Sequence, residues 1–143
     1  MKVVKEKKIR LSSEITNLSD GGAPLGEAEK TLECADGFVH FSDGEIMISY
    51  MLSQDGSEIQ TDITVTDEQI CVKRCGAVSS DFRFKEGARH KSLYSVGAYS
   101  FDAEVISEKQ RYTVSNECVR VYVYYSMLIG GARKHVKMKI IAE

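Results

Sequence analysis

Apolar and polar residues alternate along most of this chain with a period of two. Ile9, Leu11 and Ile15 share one face, and Arg10, Ser12, Glu14 and Thr16 the other. Ile59, Ile63 and Val65 follow the same rule, with Thr61 on their face. The longest run is Val119, Val121, Val123, Tyr125 and Met127, backed by Arg120, Tyr122, Tyr124 and Ser126. Val136, Met138 and Ile140 alternate with His135, Lys137 and Lys139. Such alternation is the mark of strands with one face in a core and one in water. No window of helical length carries a 3.6-residue period.

The pattern predicts strands over 8–18, 28–41, 45–52, 58–66, 69–75, 80–85, 90–96, 98–106, 117–128 and 133–141. Residues 107–116 lose the alternation and read as a loop or a helical turn. Asp-Gly pairs at 20–21, 43–44 and 55–56, and Gly130-Gly131, supply the positive φ of tight hairpins. Asp36-Gly37 falls inside a predicted strand and reads as a β-bulge. Short connections between successive strands imply up-and-down order. Eight to ten such strands close into a barrel, which removes their exposed edges. The expected fold is therefore all-β, a single antiparallel, mostly up-and-down barrel occupying residues 1–143.

Composition narrows the function classes. Apolar residues make up 43% of the chain and charged residues 28%, as in folded globular proteins. The net charge of −2 provides no global field for nucleic acid or anionic membrane. No stretch approaches the ~20 apolar residues of a membrane-spanning helix. The positively charged start, Met-Lys-Val-Val-Lys-Glu-Lys-Lys, lacks the apolar run of a signal peptide, so a cytoplasmic protein is expected. Cys34, Cys71, Cys75 and Cys118 form no Cys-x-x-Cys. On a strand, Cys71 and Cys75 would lie about 13 Å apart, too far to bridge or to share a zinc ion. They read as reduced thiols.

Several short motifs, taken in order, resemble one family. These are Arg74-Cys75-Gly76, Phe84-Lys85-Glu86-Gly87, Tyr94, and Tyr125 in a valine-rich strand, with Gly37, Tyr50 and Thr61 upstream. They are similar to the uncharacterised YwiB-like family of small bacterial proteins, along nearly the whole chain. The resemblance implies a calycin-like (lipocalin-like) β-barrel and no assigned activity. The family tends to carry glycine five residues after the Tyr94 equivalent. Tyr99 stands there in this chain, with glycine at Gly97, so a different local turn is expected.

The sharpest break in the pattern is Arg74, on the same face as Ile70 and Val72. A guanidinium on an inward face requires a carboxylate, several carbonyls or an anionic ligand. Two readings follow: a rim arginine paired with an internal acid, or a cation free for a ligand. Tyr94, Tyr125 and Tyr50 lie on core faces, where they fill volume or present hydroxyls to a head group. Arg120, Tyr122 and Tyr124 face outward and could pack across strands, stack on bases or form a dimer contact. Lys5, Lys7 and Lys8 could join Arg133, Lys134, Lys137 and Lys139 in a basic patch if the first strand pairs with the last. Few aromatics accompany them, so nucleic acid is not an expected partner. His40, His90 and His135 form no metal motif. No nucleophile has a base beside it, and neither a catalytic residue nor a cofactor is expected. Two functions remain. One is a barrel that binds a small amphipathic or anionic ligand inside, through Arg74, Tyr94, Tyr125 and Tyr50. The other is a filled barrel acting through its outer wall, as a homodimer or interaction module.

Overall fold

The computed structural model describes residues 3–54 and 56–143, so Asp55, half of one expected turn, lies outside the described residues. Ten strands follow in chain order: β1 (Val3–Leu18), β2 (Glu29–Ser42), β3 (Glu45–Gln54), β4 (Ser57–Val65), β5 (Ile70–Gly76), β6 (Val78–Phe84), β7 (Arg89–Val96), β8 (Tyr99–Ser115), β9 (Cys118–Ile129) and β10 (Ala132–Ala142). Each pairs antiparallel with its sequence neighbour, and β1 also pairs with β10, so the sheet is a closed ten-stranded up-and-down barrel. The barrel class expected from the alternation is correct.

Three expectations change. Residues 107–116 are strand, because β8 runs on to Ser115 and pairs with β9 as far as Cys118. The alternation fails there because a register shift between Ser107 and Lys109 inserts an extra residue. Gln110, Tyr112 and Val114 then take the side of the sheet held by Ala103, Val105 and Ser107 in the first half, although their parity is opposite. This is the β-bulge of the sheet. Asp36-Gly37 is not a bulge: β2 keeps its register with both neighbours through Gly37. Glycine is required there for space, since a Cβ would lie 2.3 Å from the Ser49 carbonyl oxygen and 2.5 Å from Ile9 Cδ1. The two N- and C-terminal lysine groups do not meet. Antiparallel pairing of β1 with β10 brings Lys134 beside Asn17, while Lys8 bonds the backbone of Glu143 at the other end.

The hairpins show which turns the backbone demands. Gly130 and Gly131 both have positive φ, 54° and 80°, between the paired Ile129 and Ala132. Asn116 and Glu117 do the same job between Ser115 and Cys118, at φ 51° and 64°. Both are two-residue turns of the type that matches strand twist. The departure at Tyr99 is a Gly97-Ala98 turn, with Gly97 at φ 58°. No helix among the described residues is long and apolar enough to cross a membrane. The four cysteines are unbonded.

The interior is built from one parity of every strand. Ile9, Val39, Ile48, Ile63, Ile70, Val121 and Ile140 are fully buried and fill one end. Toward the other end the same parity turns polar.

Candidate functional site

One level of the barrel marks the change. Register places Gly37, Tyr50, Thr61, Arg74 and Ser80 in a single cross-strand row over β2 to β6. All five have the inward parity of their strands, and Thr61 is completely buried between Tyr50 and Arg74. Two glycines make the row possible. Gly37 leaves room for its partner Tyr50, whose Cβ would lie 2.9 Å from a Cβ at residue 37. Gly76, at φ 119°, lets β4 approach, because a Cβ there would meet the Glu58 carbonyl oxygen at 2.1 Å. Arg74 is thereby set two residues inside the end of β5.

From this row Arg74 reaches across to Glu33 of β2. Its Nη1 donates to Oε2 and its Nη2 to Oε1, both at 3.1 Å, in a bidentate fork. The Tyr50 hydroxyl donates to Glu33 Oε1 at 2.9 Å. Arg74 is therefore paired with an internal acid, the first of the two readings the sequence left open. The pair is not sealed off: the side chains of Arg74 and Glu33 keep 17% and 26% of their exposure. Burial works against a proton on Arg74, but the hydrogen bonds and charge of Glu33 outweigh it, so its pKa lies above the ordinary value. Burial and then the charge of Glu33 push the Tyr50 hydroxyl well up. Both groups hold their protons across the physiological range.

Beyond the row the barrel is hollow. A cavity of about 390 Å³ is lined by Arg74, Glu33, Ser80, Tyr94 and Tyr125, with Ser13, Thr31 and Lys134 as further polar groups. Ile15, Ile59, Val78, Met127 and Ile129 supply its apolar wall. Tyr94 stacks on Phe82, with centroids 6.2 Å apart and planes 10° from parallel. Tyr125 leans on Phe84 at 4.6 Å, and burial pushes its hydroxyl up to about 12. Lys134, expected on an outer patch, has inward parity and forms no ion pair among the described residues.

All four residues singled out for the interior, Arg74, Tyr94, Tyr125 and Tyr50, thus belong to one region. Three line the cavity, and Tyr50 braces it from behind through Glu33. Glu33 was not identified from the sequence. Its signal was present: an acid on the parity of Val39 in β2, as Arg74 is a base on the parity of Val72 in β5.

Arg120, Tyr122 and Tyr124 lie on the outer wall of β9. Lys137 and Lys139 of β10 are their cross-strand partners on one side, with ammonium groups 5.7 Å from the Tyr124 ring centre and 5.5 Å from that of Tyr122. Lys109 and Arg111 of β8 flank them on the other.

Residues 18–140 match the family described as "Domain of unknown function (DUF1934)". A curated relative, the "Uncharacterized beta-barrel protein YwiB" of Bacillus subtilis (strain 168), is 23% identical over 100 residues, 70% of either chain. The crystal structure of the ywiB protein from Bacillus subtilis superposes with a TM-score of 0.73 at 21% identity, over 96% of this chain and 93% of that one. At that identity the likeness speaks for the barrel fold.

Proposed function

We propose, from the premise that the chain belongs to the family described as a domain of unknown function, DUF1934, that it is a non-catalytic cytoplasmic barrel binding a small amphipathic molecule in its hollow end. The observation that carries this reading is the cavity of about 390 Å³ with an ion pair on its wall. That volume lies within the ~300–1,000 Å³ of ordinary small-molecule sites, and such sites combine apolar walls with a few placed polar groups.

The pairing of Arg74 refines the ligand class. A guanidinium has five N–H donors, and Glu33 accepts from two of its nitrogens. The pair therefore offers spare donors beside a carboxylate with one acceptor site left, on Oε2. A simple carboxylate would have to displace Glu33. A head group with both a donor and an acceptor, such as an amide, an alcohol or a zwitterion, uses both halves of the pair. Lys134, which forms no ion pair with a described residue, favours a ligand with negative rather than positive excess charge. The tail would lie against Ile15, Ile59, Val78 and Met127. A barrel acting only through its outer wall leaves this hollow without a role.

Native mass spectrometry of freshly purified protein tests the reading. A bound mass is expected on the wild type and is expected to vanish in Ser80→Phe, whose ring occupies the cavity. A chain of bare mass would sink the proposal if, in addition, no acyl amide, alcohol or acid in a panel raised its melting temperature.

A further inference from the structure

The bulge in β8 has a second effect, on the outside of the barrel. Without the extra residue, Glu108 would stand opposite Tyr124 and Lys109 would point inward. With it, Lys109 pairs with Tyr124 and Arg111 with Tyr122. The two tyrosines become a ridge with a pair of cations on either flank: Lys109 and Arg111 from β8, Lys137 and Lys139 from β10. None of the four forms an ion pair with a described residue. The rings bound a shallow cleft of about 150 Å³ on the β8 side and a wider hollow of about 450 Å³ on the β10 side. The expectation against nucleic acid rested on the net charge of −2 and on the few aromatics in the strands that carry the terminal basic residues. The register joins basic and aromatic residues on one face.

We propose that this face binds single-stranded nucleic acid, with bases stacked on Tyr122 and Tyr124 and phosphates held by the four flanking cations. Tyr122 and Tyr124 are half-buried, and bases would take the ring faces over which Lys137 and Lys139 now sit; stacking on surface aromatics in a positively charged groove is how such chains are bound without sequence preference. An acidic peptide would use the cations but not the rings. A second copy docked by a two-fold axis would set the same cations against each other, which like-charge repulsion opposes. The site is independent of the cavity and stands or falls separately from it.

The test is fluorescence anisotropy of a labelled 15-residue oligothymidylate across a salt series, with inorganic polyphosphate as competitor. Four phosphate contacts predict a slope of about −2.8 in log K against log salt, from ~0.7 per contact on single strands. Lys109→Ala with Arg111→Ala is expected to cut that slope by about half. Tyr122→Leu with Tyr124→Leu is expected to keep the slope and weaken binding about 30-fold or more, from ~1–3 kcal/mol of stacking for each of two bases. Lys73→Ala, on another part of the wall, is expected to change nothing. Circular dichroism confirms that each variant is folded. No binding at the lowest salt overturns the proposal. So does a tyrosine variant that binds as well as wild type, which would make the face a general anion surface. Concentration-dependent self-association abolished by Tyr122→Ser would assign the face to a second copy instead.

Discussion

The filled and hollow ends of the barrel come from the same ten strands, yet on β2, β5 and β10 the inward residues change character between the two ends. On β5, Ile70 and Val72 give way to Arg74. On β2, Val39 gives way to Glu33 and Thr31. On β10, Ile140 gives way to Lys134. One end carries the packing that holds the fold together. The other gives up that packing and keeps a polar pair in a space its side chains leave open. A barrel of this size can either be filled by its own side chains or hold a small ligand. This one does the first at one end and has room for the second at the other.

If that division is real, deleting bulk should matter most where the interior is filled. Ile63 is fully buried and borders no part of the cavity. Ile63→Ala is expected to lose roughly 2–5 kcal/mol in urea denaturation. Ile59→Ala, on the cavity wall, removes a side chain that already borders empty space, and the loss is expected to be less than half as large. Equal losses would mean that the cavity is closed in solution.

The next effect concerns the ion pair. Glu33→Ala leaves Arg74 beside no acid, and because both groups keep some contact with water the loss is expected near 1.5–3 kcal/mol. Glu33→Leu combined with Arg74→Met removes the charges together and is expected to recover most of that loss, as hydrophobic replacement of buried pairs often does. If the double variant were as unstable as Glu33→Ala, the pair would be a structural necessity of the row and not a feature kept for binding.

These contrasts also show what could be read from the chain. The closed sheet was legible because inward positions are apolar over the filled end, and Arg74 stood out against that background. Glu33 did not, because β2 inverts the pattern as it enters the hollow end. Leu32 and Phe38 are exposed on its outer face, at 65% and 50%, while Glu33 and Thr31 point inward. A pattern rule that sends apolar residues inward misplaces a strand whose inner face is a polar cavity wall. The second half of β8 was hidden for a different reason. A bulge inserts one residue, so each half alternates correctly but the two are out of phase, and no residue type announces the shift. The basic flank of Tyr122 and Tyr124 was invisible with it.

Adding bulk should give the mirror result. Val121→Leu adds a methylene where nothing yields, and is expected to lose stability at the low end of roughly 1–3 kcal/mol. Val78→Leu adds the same group facing the cavity and is expected to be neutral or slightly stabilising. Chemical denaturation of both against wild type decides it, and a loss at Val78 matching that at Val121 would count against an open interior.

The smallest expected effect compares the two ends at their turns. Gly130-Gly131 closes the β9–β10 hairpin beside the cavity with residues free to take positive φ. Asn116-Glu117 closes the β8–β9 hairpin at the filled end, and Glu117 holds φ 64° with a full side chain. Asparagine tolerates that region and glutamate pays a steric cost there. Glu117 also faces Lys5 at 3.7 Å and Lys7 at 4.0 Å, contacts at the surface that contribute about 0–1 kcal/mol. Glu117→Gly relieves the backbone and gives the Asn-Gly pair that this turn prefers, at the loss of those contacts. The net expectation is a gain of roughly 0.5–1 kcal/mol, since the relief of ~1–2 kcal/mol exceeds what the lysines contribute. Raising the salt concentration separates the two terms, because it screens the lysine contacts and leaves the backbone relief untouched. A variant less stable than wild type at high salt would show that Glu117 is not strained in its turn.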